Sequence, residues 1–413
     1  MKKIITYGTF DLLHQGHINL LRRAKALGDW LIVGVTTDKF DQDRGKLNTC
    51  DDLMTRIEAV KKTGYADQIV LEEYKGQKID DIRKYGVDIF AIGSDWEGYF
   101  DYLKEYCEVV YLPRTEGISS TQIRDGLPPV KVGLLGYGRM TGKFIPESKP
   151  IHGIEIVPAQ GPSFEGCDAV YVDSSPELRF DDVKSALEAG KHVLCEMPIA
   201  PGTALLEDLF RLADEKRLVL MPANATVHCP SFGHLYTLLK SGVIGEILDL
   251  NLSLPLAGEE PFAGCMRESA CLPLVPIVKL LGADYRDVTF YSKMGDGVDI
   301  FTKAVFRYDK AVASFQVGLG AKSEGDMVIS GTKGYAYVPA PWWRTDYFEI
   351  RYEDQKLNKK YFYPFDGEGL RYEIKHFVSS ILQGTFQKLS RQELLMMTKV
   401  QERYMEGKDV FFL

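Results

Sequence analysis

The chain has 413 residues, 45% of them hydrophobic, with a formal net charge of −8. That length suits two or three domains with sizeable cores. The acidic balance offers no footprint for nucleic acid or an anionic membrane, no apolar run nears the length of a membrane span, and the N-terminus enters a strand-like run with no signal peptide.

Residues 1–125 alternate strand-like and helix-like patterns. A first strand over 3–7 runs into Gly8-Thr9-Phe10-Asp11-Leu12-Leu13-His14-Gln15-Gly16-His17, and a helix over 17–27 follows, apolar at Ile18, Leu21 and Ala24. Strand, glycine turn and helix start make a place where α/β proteins hold phosphate, because backbone N–H groups point outward and the helix dipole favours anions. Two imidazoles at that point add donors for phosphoryl oxygens. The chemistry implied is nucleotidyl transfer. Further strands over 30–36, 68–72, 87–92 and 108–112, with helices over 51–63, 77–85 and 99–105, argue a doubly wound parallel sheet. This α/β domain is itself slightly acidic, so its phosphate site must be basic locally.

Asp125-Gly126-Leu127-Pro128-Pro129 reads as a linker. A second α/β module begins with a strand over 131–135 and the turn Gly136-Tyr137-Gly138. Strand and helix pairs follow at 168–172 with 180–189 and 192–195 with 203–216, then a strand at 218–221. From about 245 the strand-like runs become sequential, at 247–254, 286–293, 299–307, 311–318, 326–330, 335–338 and 347–352, which predicts a mostly antiparallel sheet. Helices over 370–382 and 390–405 close the chain. The expected boundaries are 1–126, a linker at 127–130, then 131–245 and 246–413. Seven cysteines, an odd number without CxxC or metal-type spacing, read as free thiols, and a cytoplasmic protein is expected.

The combination of Gly8-Thr9-Phe10-Asp11, His14-Gln15-Gly16-His17, Thr37-Asp38, Gly93-Ser94-Asp95-Trp96-Glu97-Gly98 and the run from Tyr111 through Arg114 to Thr121 is specific where one HxGH alone is weak. On these residues the N-terminal domain resembles the glycerol-3-phosphate cytidylyltransferases of the HxGH nucleotidyltransferase superfamily. The resemblance implies transfer of CMP from CTP to glycerol 3-phosphate or a similar small polyol phosphate, with release of pyrophosphate. It also implies Mg²⁺ accompanying CTP, a homodimer, and a CDP-alcohol product that feeds teichoic-acid or capsule polymers. Adenylyltransferases share HxGH; the 114–121 run favours cytidine by resemblance only.

The chemistry of that reaction suits these residue types. A phosphate monoester is already anionic near neutral pH, since its second pKa is about 6, so no general base is needed. The enzyme must hold two polyanions in line and stabilise the charge that develops between them. His14 and His17 are assigned to the CTP phosphates and the transition state, against a bland alternative of helix capping or core packing. Gly8, Thr9 and the amides of Thr9 and Phe10 cradle phosphate, and Gly16 lets the backbone approach it. Asp11 orients the loop, and no protein metal site is expected. By resemblance Lys46 reaches CTP and Arg44 the acceptor phosphate, from a charged segment (41–45) that reads as a mobile loop; a solvated surface loop is the alternative. Lys78 aligns with a lysine that touches the acceptor, or is an ordinary surface lysine. Arg56 pairs phosphate or an acidic neighbour such as Asp52. Arg114, Thr115, Gly117, Ser119, Ser120 and Thr121 lead into a helix-like 122–124 and form a second anion site, which the family uses for the nucleotide. Asp95 and Trp96 contact ribose or base, or the indole packs in the core. Gly64 stands where many relatives carry arginine, which leaves the polyol phosphate open.

In the second module Ser185 to Glu196, Met197-Pro198, Ser241 to Ile247 and Gly331-Thr332-Lys333-Gly334 are similar to the glucose–fructose oxidoreductase and inositol dehydrogenase family. That implies a Rossmann-like domain over 131–245 and an α+β domain over 246–413. The family's chemistry is incomplete here. The glycine turn is GxGxxxG (Gly136, Gly138, Gly142), one residue longer than the dinucleotide fingerprint. Pro158-Ala159-Gln160 supplies no carboxylate for a ribose diol. Met197 fills the place of a lysine, and no Asp and His pair stands around 269–282. NAD(P) binding therefore stays open among three readings. One is a structural or oligomerising partner. Another is a reductase with a rearranged site drawn from Tyr171, Asp173, Glu196, His228 or Lys279. The third is a regulatory or substrate-binding module.

Overall fold

The computed structural model describes the chain except residues 44–48, 50, 75, 114, 116–127, 137, 139, 152, 158–163, 258–262, 320, 364–366 and 385–386. It separates into two units, Met1–Pro128 and Pro129–Leu413.

In the first unit β1 (Lys3–Gly8), α1 (Gln15–Lys25), β2 (Trp30–Thr36), α2 (Asp38–Asp43), α3 (Leu53–Lys62), β3 (Gln68–Glu72), α4 (Gln77–Tyr85), β4 (Ile89–Gly93) and β5 (Glu108–Leu112) follow in order. The strands pair in parallel as β3-β2-β1-β4-β5. Successive strand residues feed opposite faces, as the two-residue period requires. Ile4, Leu31, Val33, Val35, Ile89 and Ala91 pack with Leu21, Ala24, Ile57 and Val60 on one side. Ile5, Tyr7, Ile32, Phe90 and Ile92 pack with Ile82, Phe100 and Leu103 on the other. The strand order reverses direction between β1 and β4, so the crevice beyond their carboxyl ends is the switch point where such sheets bind ligands. The sequence from Gly8 to His17 leaves β1 at that point. Two expected elements differ. Residues 101–105 form a 3-10 helix, not an α-helix over 99–105, and Asp41 lies within α2, not in a loop.

In the second unit β6 (Val130–Leu135), α5 (Thr141–Ser148), β7 (Ile154–Val157), β8 (Ala169–Val172), α6 (Pro176–Glu188), β9 (His192–Glu196), α7 (Thr203–Lys216) and β10 (Leu220–Ala223) build a parallel sheet of order β10-β9-β8-β6-β7. After α8 (Pro230–Lys240) come β11 (Ile247–Pro255), α9 (Cys271–Leu281), β12 (Asp287–Gly295), β13 (Val298–Arg307), β14 (Val312–Gly318), β15 (Met327–Gly331), β16 (Tyr335–Val338), β17 (Tyr347–Arg351), β18 (Lys359–Phe362), α10 (Leu370–Gln383), α11 (Arg391–Met405) and β19 (Val410–Phe412). These strands join as β18-β17-β16-β15-β11-β14-β13-β12-β19, antiparallel except for the parallel pairs β11/β14 and β12/β19. Cys107, Cys167, Cys195, Cys229, Cys265 and Cys271 are free thiols. No helix among the described residues is long and apolar enough to cross a membrane.

Candidate active site

The turn from β1 into α1 is backbone-strained. Phe10 (φ 56°) and Leu12 (φ 50°) both adopt the left-handed region, which costs a residue with a Cβ about 1–2 kcal/mol. Such a turn persists only where its surroundings over-determine it. Here they do. The Asp11 carboxylate accepts the Asp51 amide at 2.8 Å, and the Asp51 carboxylate accepts the Leu12 amide at 3.0 Å. The Thr9 hydroxyl donates to Asp41 at 3.1 Å. Behind the turn lies Arg56, fully buried. Its guanidinium donates to the carbonyls of Thr9 (2.7 Å), Thr36 (2.8 Å) and Asp51 (3.1 Å) and pairs with Asp38 at 2.6 Å. Burial alone would depress its pKa; Asp38 and Asp41 outweigh burial and hold it above the ordinary guanidinium value. Arg56 thus meets Asp38 and Asp41 rather than Asp52, and it fixes the loop from behind. The Asp11 carboxylate orients the loop.

His14 is the N-cap of α1. Its Nδ1 accepts the Gly16 amide at 3.0 Å, and His17 Nδ1 accepts the His14 amide at 3.5 Å, a capping box built from imidazoles. The two rings stack with centroids 4.0 Å apart, and His17 meets the buried Phe10 ring edge-on at 5.5 Å. Capping, set against phosphate binding in the sequence reading, is compatible with it. A neutral imidazole that accepts at Nδ1 carries its proton on Nε2 and can donate there. Burial lowers the His14 pKa, with Asp11 opposing only in part, so His14 is neutral at pH 7. No acidic residue stands in the first turn of α1. The helix start therefore brings a positive dipole end and two imidazoles to one place, which suits an anion.

Pro113 and Thr115, at the start of the expected second anion run, are tied to this helix. Asn19 of α1 donates to the Thr115 hydroxyl at 3.2 Å, and Arg23 donates to the Pro113 carbonyl. Arg114, Gly117, Ser119, Ser120 and Thr121 lie outside the described residues, as do Arg44 and Lys46. Asp95 and Trp96 sit in a 3-10 turn at the carboxyl end of β4. The indole is 46% exposed against Tyr99 and Phe100, which rules out a core position. Lys78 is not a surface lysine. It is buried, pairs with Glu72 and lies over the Tyr7 ring at 4.5 Å. Sequence reasoning missed Asp38, Asp41, Asp51, Asn19 and Arg23 as positioning residues. Only Asp38, within Thr37-Asp38, carried a sequence signal.

In the second unit the proposed alternatives separate. Tyr171 donates to Glu196 at 2.5 Å. His228 is buried, with its ring 4.9 Å from that of His376. Lys279 bonds the Lys388 carbonyl at 2.7 Å and Glu393 at 3.1 Å, a structural pairing of helices. A nicotinamide dinucleotide, which this fold implies, needs free amides and open space at the glycine turn. Here the Asp173 carboxylate accepts the Met140 and Thr141 amides and lies against the Cα of Gly138.

A family model described as cytidylyltransferase-like matches residues 5–126, and one described as oxidoreductase family, NAD-binding Rossmann fold, matches 154–224. The first unit is 52% identical over 127 residues to a glycerol-3-phosphate cytidylyltransferase of Staphylococcus aureus, covering 31% of this chain and 96% of that protein. The second is 24% identical over 237 residues to a trans-1,2-dihydrobenzene-1,2-diol dehydrogenase of Xenopus laevis, covering 52% of this chain and 70% of that one. A solved 3-ketoreductase of Actinomadura kijaniata, in complex with NADP and TDP-benzene, superposes with a TM-score of 0.60 at 20% identity, over 69% of this chain and 99% of its own. That likeness carries the fold alone. Through its N-terminal unit the chain belongs to the cytidylyltransferase-like family and is a cytidylyltransferase, joined to a unit of oxidoreductase fold.

Proposed function

We propose that the first unit transfers CMP from CTP to glycerol 3-phosphate, releasing pyrophosphate. The observation that carries this reading is the pair of stacked imidazoles that open α1 at the switch point, each with Nδ1 accepting a backbone amide. The acceptor phosphate attacks the α-phosphorus, and the P–O bond to the β-phosphate breaks. His14 and His17 donate to the oxygens on which charge accumulates, and the α1 amides share that load. Fixed donors cost no reorganisation when the charge moves, which is the reason for the rigid Arg56 scaffold behind them. Lys46, Arg44 and Arg114 supply the remaining positive charge, and CTP enters as its magnesium complex. The identity to relatives named for glycerol 3-phosphate supports that acceptor.

Pyrophosphate release with each nucleoside triphosphate and a panel of polyol phosphates tests the proposal. CTP with glycerol 3-phosphate is expected to give the highest kcat/KM. Preference for ATP, or for a longer polyol phosphate, refutes the substrate assignment, and Gly64 would then be the first position to change.

A further inference from the structure

The second unit keeps the glycine turn of a dinucleotide-binding sheet but has filled it from within. Asp173 follows β8, which lies beside β6 in the sheet. Its Oδ2 accepts from the Met140 amide (2.9 Å), the Thr141 amide (2.7 Å) and the Thr141 hydroxyl (2.9 Å). These are the donors at the start of α5, where a pyrophosphate would be received. The Asp173 carbonyl also accepts the Gly138 amide at 2.9 Å.

The space is taken as well as the donors. A Cβ on Gly138 would fall 2.1 Å from Asp173 Oδ1, and one on Gly136 (φ +99°) would fall 2.6 Å from the Asp173 carbonyl. In a dinucleotide site the second glycine exists so that the backbone can approach phosphate. Here the approach is made by a carboxylate of the same chain, 5% exposed. Gly142 has nothing within 4 Å of its Cβ position, so the third glycine serves no close helix packing either. The match to the oxidoreductase model begins at residue 154, after this whole segment.

We propose that Asp173 is a built-in anion that occupies the pyrophosphate cradle, and that the second unit consequently binds neither NADH nor NADPH. A diphosphate brought to this place would meet a carboxylate at hydrogen-bonding range, with the Gly138, Met140 and Thr141 amides already engaged. The carboxylate substitutes for the ligand in holding the start of α5.

The test is calorimetric titration of the full chain with NADPH and with NADH, CTP being saturating so that the first unit is filled. The native chain is expected to show no saturable binding up to millimolar dinucleotide. Asp173→Ser, which clears the cradle, is expected to gain at least tenfold in NADPH affinity. Asp173→Asn, which keeps the side-chain volume and removes the charge, is expected to gain in the same direction and serves if the serine variant does not fold. Micromolar binding by the native chain overturns the proposal. So does a folded variant of either kind with no gain. Pyrophosphate release by the first unit, measured on the same samples, is expected to be unchanged, which separates this result from the cytidylyltransferase assignment.

Discussion

His14 performs two jobs through two nitrogens, and substitution can separate them. Nδ1 caps α1 through the Gly16 amide, while Nε2–H is the donor assigned to phosphate. Asparagine is among the best N-cap residues, and its shorter side chain does not reach where Nε2 reaches; alanine does neither job. His14→Ala should therefore lose about 1 kcal/mol of stability, a shift of a few degrees in the melting of the first unit. It should also lose about 10²–10³ in kcat, the usual cost of one preorganised donor. His14→Asn should lose the same factor in kcat with stability within a few tenths of a kcal/mol of the native chain. The assays are urea denaturation and pyrophosphate release with CTP and glycerol 3-phosphate. Near-native turnover in the asparagine variant would refute the donor role, and equal stability of the two variants would refute the cap. The pH dependence has a definite sign. With His14 depressed below its ordinary 6.5, the unfolded chain binds more protons than the fold in the interval below that value. Stability should fall as the pH drops through that interval, in the native chain but not in His14→Asn.

Arg56→Met should cost the first unit about 3–5 kcal/mol, because it leaves the buried Asp41 and the half-buried Asp38 without their cation; a change below 1 kcal/mol in urea denaturation would contradict the scaffold role. Gly34→Ala should destabilise the same unit by about 1–3 kcal/mol, because the added methyl falls 2.1 Å from the buried Tyr7 ring. Pairing it with Tyr7→Leu should recover part of that loss, and simple additivity in the double variant would count against the contact. In the second unit, burial and then the neighbouring Glu196 carboxylate hold the Glu373 pKa well above its ordinary 4.5. The fold then binds the extra proton, so stability should decline as the pH rises from 4.5 through the folded value. Glu373→Gln should flatten that slope; an unchanged slope would mean that Glu373 is ionised in the fold.

The sequence carried the βα alternation of the first unit well, because two-sided burial leaves strands as short apolar runs bounded by turn residues. Strands at 30–36, 68–72 and 108–112 appear with the expected bounds. It did not reveal α9, where Pro273 and Pro276 argue against a helix that burial nonetheless stabilises. It did not reveal β19, whose parallel pairing with β12 depends on a partner more than a hundred residues away. At the site, HxGH was legible because both imidazoles and the helix they cap are contiguous in sequence. The Arg56 network was not, because its partners Thr9, Thr36, Asp38 and Asp51 come from separate elements joined only by the fold. Asp173 was named as a candidate, but its contact with the glycine turn was equally hidden: it meets Gly138 and Thr141 only because β8 lies beside β6.

The most direct test is a crystal structure of the chain with CTP. The triphosphate should sit at the start of α1, with Nε2 of His14 and of His17 within 3.2 Å of phosphoryl oxygens and the Arg114 guanidinium on the same triphosphate. A nucleotide bound elsewhere, or both imidazoles turned away from it, would contradict the account.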